Sequence, residues 1–427
     1  MPVHALAHEP APWGLMHFRV PGSNPEPYSM PLSAKIKVKH NPTCCTANLP
    51  FFTSDFYTDR TATGAAQLTG GRRRDAKAMT TDKMALEVIG VRGRPEHLVR
   101  EVYEAAGLLH AEAAPEEPRQ PLEQELAFFR SLPEAYDGAT VVARDDAGQI
   151  IGSANVIIND TEGFRHAARV RIGVLPGHRR AGIGRALLGG ALEVAERHDR
   201  TLLIGSTWET VPAGETFARR IGADFGQVTI ENRLDLRAVD RDLVRSWVEA
   251  GPARARGYHL EFVKGTTPDH LIPGVIAVYE LLNTAPRDNL QVGDLTLTPE
   301  WLRQVEQAAE ATGLERWAHY AVEDAVGDFV GFHDILVNSA VPERLQGANI
   351  AVAPAHRGRA LSKWLMAAMM QRVLDELPDA RWWVGTTAAS NDVMLSIYRQ
   401  LGFRASAAVT IWQVSTERAR AYLSSQA

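Results

Sequence analysis

The stretch Val170–His198, VRIGVLPGHRRAGIGRALLGGALEVAERH, decides how the rest of the chain is read. Val170 to Leu175 has the β-branched and apolar content of a short strand, which Pro176-Gly177 ends. The turn Arg179-Arg180-Ala181-Gly182-Ile183-Gly184 follows. Ala186, Leu187, Leu188, Ala191, Leu192 and Ala195 then recur at helical spacing and predict a helix with one apolar face. A strand that passes through a glycine turn into a helix aims several unpaired backbone N–H groups at one point. The positive end of the helix dipole adds to them, so the turn suits a phosphate or diphosphate. Gly182 and Gly184 let a ligand approach the backbone, and Arg179 and Arg180 offer charge-assisted bonds to phosphate oxygens. The lysine of a nucleotide-hydrolase loop and the third glycine of a dinucleotide-binding turn are both missing.

A second stretch repeats the first. Asn349–Val352 reads as a strand, Pro354–Ser362 (PAHRGRALS) as a turn, and the residues to about Leu377 as a helix. Arg179 and Arg357 stand 178 residues apart. Around each, one order of elements is predicted: strand, two helices, a hairpin, the strand–turn–helix unit, strand, helix, strand. Leu86–Val91 opens the first copy and Leu260–Lys264 the second, so the repeat covers about 86–415. The domains follow: an extension over 1–83, a first domain over 84–236, a linker over 237–257 and a second domain over 258–427. The linker is expected to be helical over Val239–Ala250 and closed by Gly251-Pro252. The extension has no sustained period of 2 or 3.6, and disorder is the expectation there.

Composition excludes several classes. Of the 427 residues, 45% are hydrophobic and 23% charged, as in a globular protein, and the formal charge of −5 points to neither nucleic acid nor an anionic membrane. Cys44 and Cys45 are the two cysteines, adjacent and outside any zinc-type spacing, so no metal is expected. No apolar run reaches the length of a membrane span, and the prolines and histidines of the first 18 residues exclude a signal-peptide core. A cytoplasmic location is the expectation.

Val174, Pro176, Arg179, Gly182 and Gly184 carry a resemblance to the GNAT superfamily of acyl-CoA-dependent N-acyltransferases, whose Arg-x-x-Gly-x-Gly loop holds the diphosphate of coenzyme A. The resemblance implies an α/β (α+β) fold of two tandem GNAT-like domains, each a mixed, mostly antiparallel sheet flanked by helices. The layout is similar to that of mycothiol synthase. It also implies acetyl-CoA as co-substrate, an amine on a small molecule as acceptor, and direct attack of that amine on the thioester. Val174, Leu175, Arg179, Ala181, Gly182, Ile183 and Gly184 are its implied coenzyme contacts in the first copy. Val352, Arg357, Ala360 and Asn391 are those in the second.

The copies differ in equipment. GNAT enzymes carry an Asn, a Tyr seven residues on, and Gly-Phe four residues after that. Asn391, Tyr398 and Gly402-Phe403 match, which makes Tyr398 the implied general acid for the leaving thiolate. The first copy has Val211 and Ala218 at those places but keeps both loop glycines, where the second has Ala360 and Ser362. The leading expectation is chemistry in the second copy. Its rivals are an active first copy and an inactive pair that binds acyl-CoA as a sensor or interaction module. Glu209, Glu323, Asp324 and Asp334 are candidate bases, and Trp208, Trp382 and Trp383 candidate walls of the acceptor cleft. Oligomeric state is left open.

Overall fold

The computed structural model describes residues 45–46, 85–115 and 119–425. A two-residue strand β1 (Cys45–Thr46) apart, the expectation for residues 1–83 lies outside that range. The first copy runs β2 (Ala85–Gly90), α1 (Glu96–Ala113), α2 (Leu122–Arg130), β3 (Tyr136–Arg144), β4 (Ile150–Asn159), β5 (Ala167–Val174), α3 (Ile183–Arg197), β6 (Leu202–Trp208), α4 (Pro212–Arg220) and β7 (Asp224–Asp235). After α5 (Arg241–Arg254) the order returns as β8 (Tyr258–Lys264), α6 (Ile272–Glu280), α7 (Pro299–Ala311), β9 (Leu314–Glu323), β10 (Phe329–Asn338), β11 (Arg344–Val352), α8 (Leu361–Glu376), β12 (Trp382–Ala388), α9 (Asp392–Leu401) and β13 (Arg404–Ser415). A last helix, α10 (Thr416–Ser425), was not expected from the sequence.

Alternation along the strands makes two faces. Val141 on β3 meets α3, so closely that a Cβ on Gly190 would lie 2.8 Å from its Cγ1, while Val142 joins Ile89 and Val102 on the α1 face. The second copy repeats this: Trp317 and Ala321 pack toward α8, and Ala318 and Tyr320 toward α6 and α7.

The two sheets are continuous, and their last strands are exchanged. β13, from the second copy, pairs antiparallel with β6 of the first, from Val409 opposite Trp208 to Ser415 opposite Leu202. β7, from the first copy, pairs with β12 of the second, from Trp382 opposite Asp235 to Ala388 opposite Thr229. β7 and β13 also pair with each other, and the order is β2-β3-β4-β5-β6-β13-β7-β12-β11-β10-β9-β8.

The helix between the copies corrects one expectation. It does not stop at Gly251-Pro252 but runs on to Arg254. Pro252 removes one backbone donor, whose intrahelical partner would be the Val248 carbonyl, yet the helix continues past it. Gly251 is there for packing: a Cβ on it would sit 2.4 Å from the indole of Trp364 on α8.

Two histidines lie side by side beneath α8. His319 and His333 are opposite each other on β9 and β10 and both are buried. Burial lowers their pKa values to about 4 and about 3. The unfolded chain takes up their protons below about pH 6.5 while the native state does not, so stability falls as pH drops from there toward 4. Replacing both by Gln should flatten the acid limb of urea-unfolding stability against pH by up to about 2.7 kcal/mol per pH unit. The exchanged strands give a second expectation. Residues 85–257 expressed alone lack β13, leave β6 without its antiparallel neighbour and should be insoluble or lack a cooperative melt, whereas the full chain melts cooperatively.

Candidate active site

In each copy the parallel pair at the centre is short. β5 and β6 pair from Ala167 opposite Leu202 to Arg169 opposite Ile204, and β11 and β12 from Arg344 opposite Trp382 to Gln346 opposite Val384. Beyond these rungs the strands part. The Leu175 N–H donates to Ile151 on β4, so alternation turns the N–H groups of Ile172 and Val174 toward the gap. The Ala353 N–H donates to Val330 in the same way and turns Ile350 and Val352 to the second gap. β1 lies along β11 there, Cys45 opposite Ala351 and Thr46 opposite Ile350.

The loops after β5 and β11 are built alike. Short 3-10 turns, Pro176–His178 and Pro354–His356, lead into them. The Arg179 Nε donates to the Val174 carbonyl at 2.9 Å and the Arg357 Nε to the Val352 carbonyl at 3.0 Å. Two left-handed residues follow: Arg180 (φ 69°) and Gly182 (φ 83°) in one, Gly358 (φ 78°) and Ala360 (φ 62°) in the other. The glycine has changed place, yet the backbone shape is kept. The first bonds of the helices run from Ala186 to Gly182 and from Trp364 to Ala360. Residues 183–185 and 361–363 therefore have no intrahelical use for their N–H groups.

The side chains divide the predicted contacts by role. Arg179 is committed within the protein: its guanidinium also pairs with Glu112 on α1, one contact at 2.7 Å. It holds the loop against β5 and α1. Arg357 donates in the same way to Thr284 at 2.8 Å. Ala181 packs against the first core and Ile183 is buried in it, so only their backbone faces a ligand. Gly182 has open space where a Cβ would be, and a Cβ on Gly184 would meet only Phe217 and Val174 at ordinary contact distance. Asn391 is buried and caps α9, its side chain accepting from the Met394 N–H at 3.2 Å. Tyr398 is also buried, tilted against Phe403 with ring centroids 4.6 Å apart. Its hydroxyl lies 2.4 Å from where a Cβ on Gly385 would stand, which is why β12 has glycine at that position. The chain's path at Val211 and Ala218 matches Asn391 and Tyr398: Ala223 donates to Ala218 at 3.0 Å as Phe403 donates to Tyr398 at 2.9 Å.

A cavity of about 730 Å³ opens in the first copy. α1, β4, β5, the loop, the start of α3, the end of β6 and α4 line it, including Val174, Arg179, Gly182, Gly184 and Trp208. Arg180 and Arg220 line it without a hydrogen bond or ion pair to any described residue. Tyr422, from α10 at the far end of the chain, closes part of the wall, and the Arg185 guanidinium anchors α10 by donating to the Leu423 carbonyl at 2.8 Å. Sequence reasoning missed Tyr422, because nothing local links it to a loop more than 230 residues away.

The candidate bases are spread apart. Asp334 accepts from the Tyr279 hydroxyl and from the Asn349 N–H. Glu209 accepts from the Ala408 N–H at 2.9 Å, and Asp324 pairs with His259. Glu323 lies at the end of β9, next to the β9–β10 turn. Trp383 is core, stacked on His333, and Trp382 lies between Arg233 and Arg381.

The sequence profile described as the acetyltransferase (GNAT) family matches residues 101–219 and 275–403, more than half the chain. The chain belongs to that family. Its members transfer acyl groups from acyl-CoA. A tandem GNAT protein from the clavulanic acid biosynthesis pathway is 25% identical with a TM-score of 0.62, over 78% of this chain and 99% of that one. A GCN5-related N-acetyltransferase from Sphaerobacter thermophilus is 15% identical with a TM-score of 0.56, over 79% and 97%. No curated protein sequence matches. Among the described residues, no helix of this GNAT protein is long and apolar enough to cross a membrane, and no group of three His, Cys, Asp or Glu is placed to hold a metal ion.

Ala360 adopts a left-handed conformation that costs an L-residue about 1–2 kcal/mol. Ala360→Gly should raise unfolding stability by about 1 kcal/mol, read from the urea midpoint at constant slope.

Proposed function

We propose that this GNAT protein moves an acetyl group from acetyl-CoA to an amine on a small molecule, with the coenzyme held in the first-copy cavity. The cavity carries the reading. It joins the open edge of β5, the N–H groups that start α3 and two cations that make no hydrogen bond or ion pair to any described residue. The diphosphate fits the mouth of α3, where dipole and backbone donors converge, with Arg180 and Arg220 beside it. The N–H groups of Ile172 and Val174 suit the pantetheine arm and the thioester carbonyl, which they polarise for attack by the amine. Arg179, locked to Glu112 and Val174, keeps the loop in shape. In the second copy the matching edge is paired with β1. The tandem protein of the clavulanic acid pathway, alike along almost its whole length, supports a small-molecule acceptor.

A second reading places the chemistry in the second copy with Tyr398 as general acid. The observation that favours it is the register of α9, which brings the Tyr398 hydroxyl over Gly385 at the edge of that gap.

Two variants separate the readings. Gly184→Phe projects a ring into the first cavity and should abolish most acetyl-CoA binding by calorimetry and most thiol release with an amine panel. Tyr398→Phe should change thiol release less than about three-fold. A ten- to thousand-fold loss in Tyr398→Phe, with Gly184→Phe unaffected, would transfer the chemistry to the second copy. Tight binding without thiol release for any amine would leave a sensor.

A further inference from the structure

One part of the cavity wall lies away from the coenzyme loop. β4 and β5 pair Ser153 with Gly173 and Asn155 with Arg171, and all four residues line the cavity. Arg171 stands three residues inward of Val174, about 10 Å along the strand at 3.3 Å per residue. Its guanidinium makes no hydrogen bond or ion pair with any described residue. The Asn155 amide oxygen is buried and has no hydrogen-bond partner among the described residues. Unsatisfied buried acceptors are uncommon, and a cation set beside one in a concave wall has an incomplete set of partners.

The second copy shows how this position looks when it is complete. Gly152 opposite Val174 corresponds to Gly331 opposite Val352, so Asn155 opposite Arg171 corresponds to Asp334 opposite Asn349. There the protein supplies its own carboxyl group. Asp334 is fully buried and accepts from the Tyr279 hydroxyl, the Asn349 N–H at 2.7 Å and the Asn349 side chain at 3.2 Å, with Arg316 3.9 Å away. Phe332 and Ala351 fill the place next to it, where the first copy has Ser153 and Gly173. In the first copy an amide and an arginine stand at these rungs, and the aromatic filling is gone. Glu125 on α2 interacts electrostatically with Arg171. Burial pushes its pKa up to about 7 against the pull of Arg119, Arg94 and Arg171, so near neutrality it offsets that charge only in part.

We propose that the acceptor amine carries a carboxylate, which Arg171 binds while the Asn155 amide oxygen accepts an N–H from the same molecule. The substrate class is then amino-acid-like amines, held by a charge-assisted pair at the inner end of the cavity while the nitrogen faces the thioester. This rests on the first-copy assignment above.

The test uses the full-length protein with two matched sets: amino acids against their carboxamides as acceptors, and N-acetyl amino acids against N-acetyl carboxamides as binding probes. Wild type should prefer the free carboxylate in both thiol release and calorimetric binding. Arg171→Gln should raise the acceptor KM about ten- to a hundred-fold for carboxylates only, leave acetyl-CoA affinity unchanged, and abolish the binding preference. Arg171→Lys should restore part of it. A wild type indifferent to the carboxylate, or an Arg171→Gln variant that keeps the preference, would overturn the proposal. If no amine is acetylated, the transferase assignment fails, and the binding of N-acetyl amino acids alone decides whether Arg171 holds a carboxylate.

Discussion

Two parallel strand pairs that stop after three rungs are the constraint on which the rest of this structure depends. Backbone donors and acceptors are obligatory hydrogen-bonding groups, and a strand edge released from its neighbour needs another partner. On their far sides all four strands are paired, β5 with β4, β6 with β13, β11 with β10 and β12 with β7, so only the edges that face the gaps are released. Among the described residues β5 keeps a row of amides facing its gap, whereas β1 lies along the matching edge of β11. A thioester carrier with amides of its own suits such an edge. The helix mouth beside it supplies donors for the charged end, and one loop geometry is kept in both copies to aim them.

The exchange of last strands ties the copies together. β7 leaves the first copy to complete the second, and β13 returns to complete the first, so the centre of the sheet contains backbone from both. α10 then follows β13 back across and brings Tyr422 to the first cavity. The copies have diverged in what they place at equivalent rungs. Where one has Ser153, Asn155, Arg171 and Ala218, the other has Phe332, Asp334, Asn349 and Tyr398. One wall is open and short of partners; the other is filled and satisfied from within.

The features legible in the sequence were those encoded locally. The loop, its glycines and the helices after it follow from spacing within a dozen residues, and the repeat from comparing two such windows. The equivalence of Val211 and Ala218 to Asn391 and Tyr398 was likewise a matter of counting. Strand exchange was not legible, because β7 and β13 have the same pattern whichever neighbour they choose. Gly251-Pro252 read as a stop when the glycine was there for Trp364. Arg179 read as a phosphate ligand because its carboxylate partner, Glu112, is 67 residues away in sequence. Arg171 and Asn155 passed unnoticed, since an unpaired side chain is recognisable only after its neighbours are placed.

The central claim is that the carrier lies along β5 and the mouth of α3. Hydrogen–deuterium exchange with and without acetyl-CoA tests it most directly. The account predicts slower exchange at Ile172, Val174 and residues 183–185, with 350–352 and 361–363 unchanged. Protection confined to the second set would contradict it.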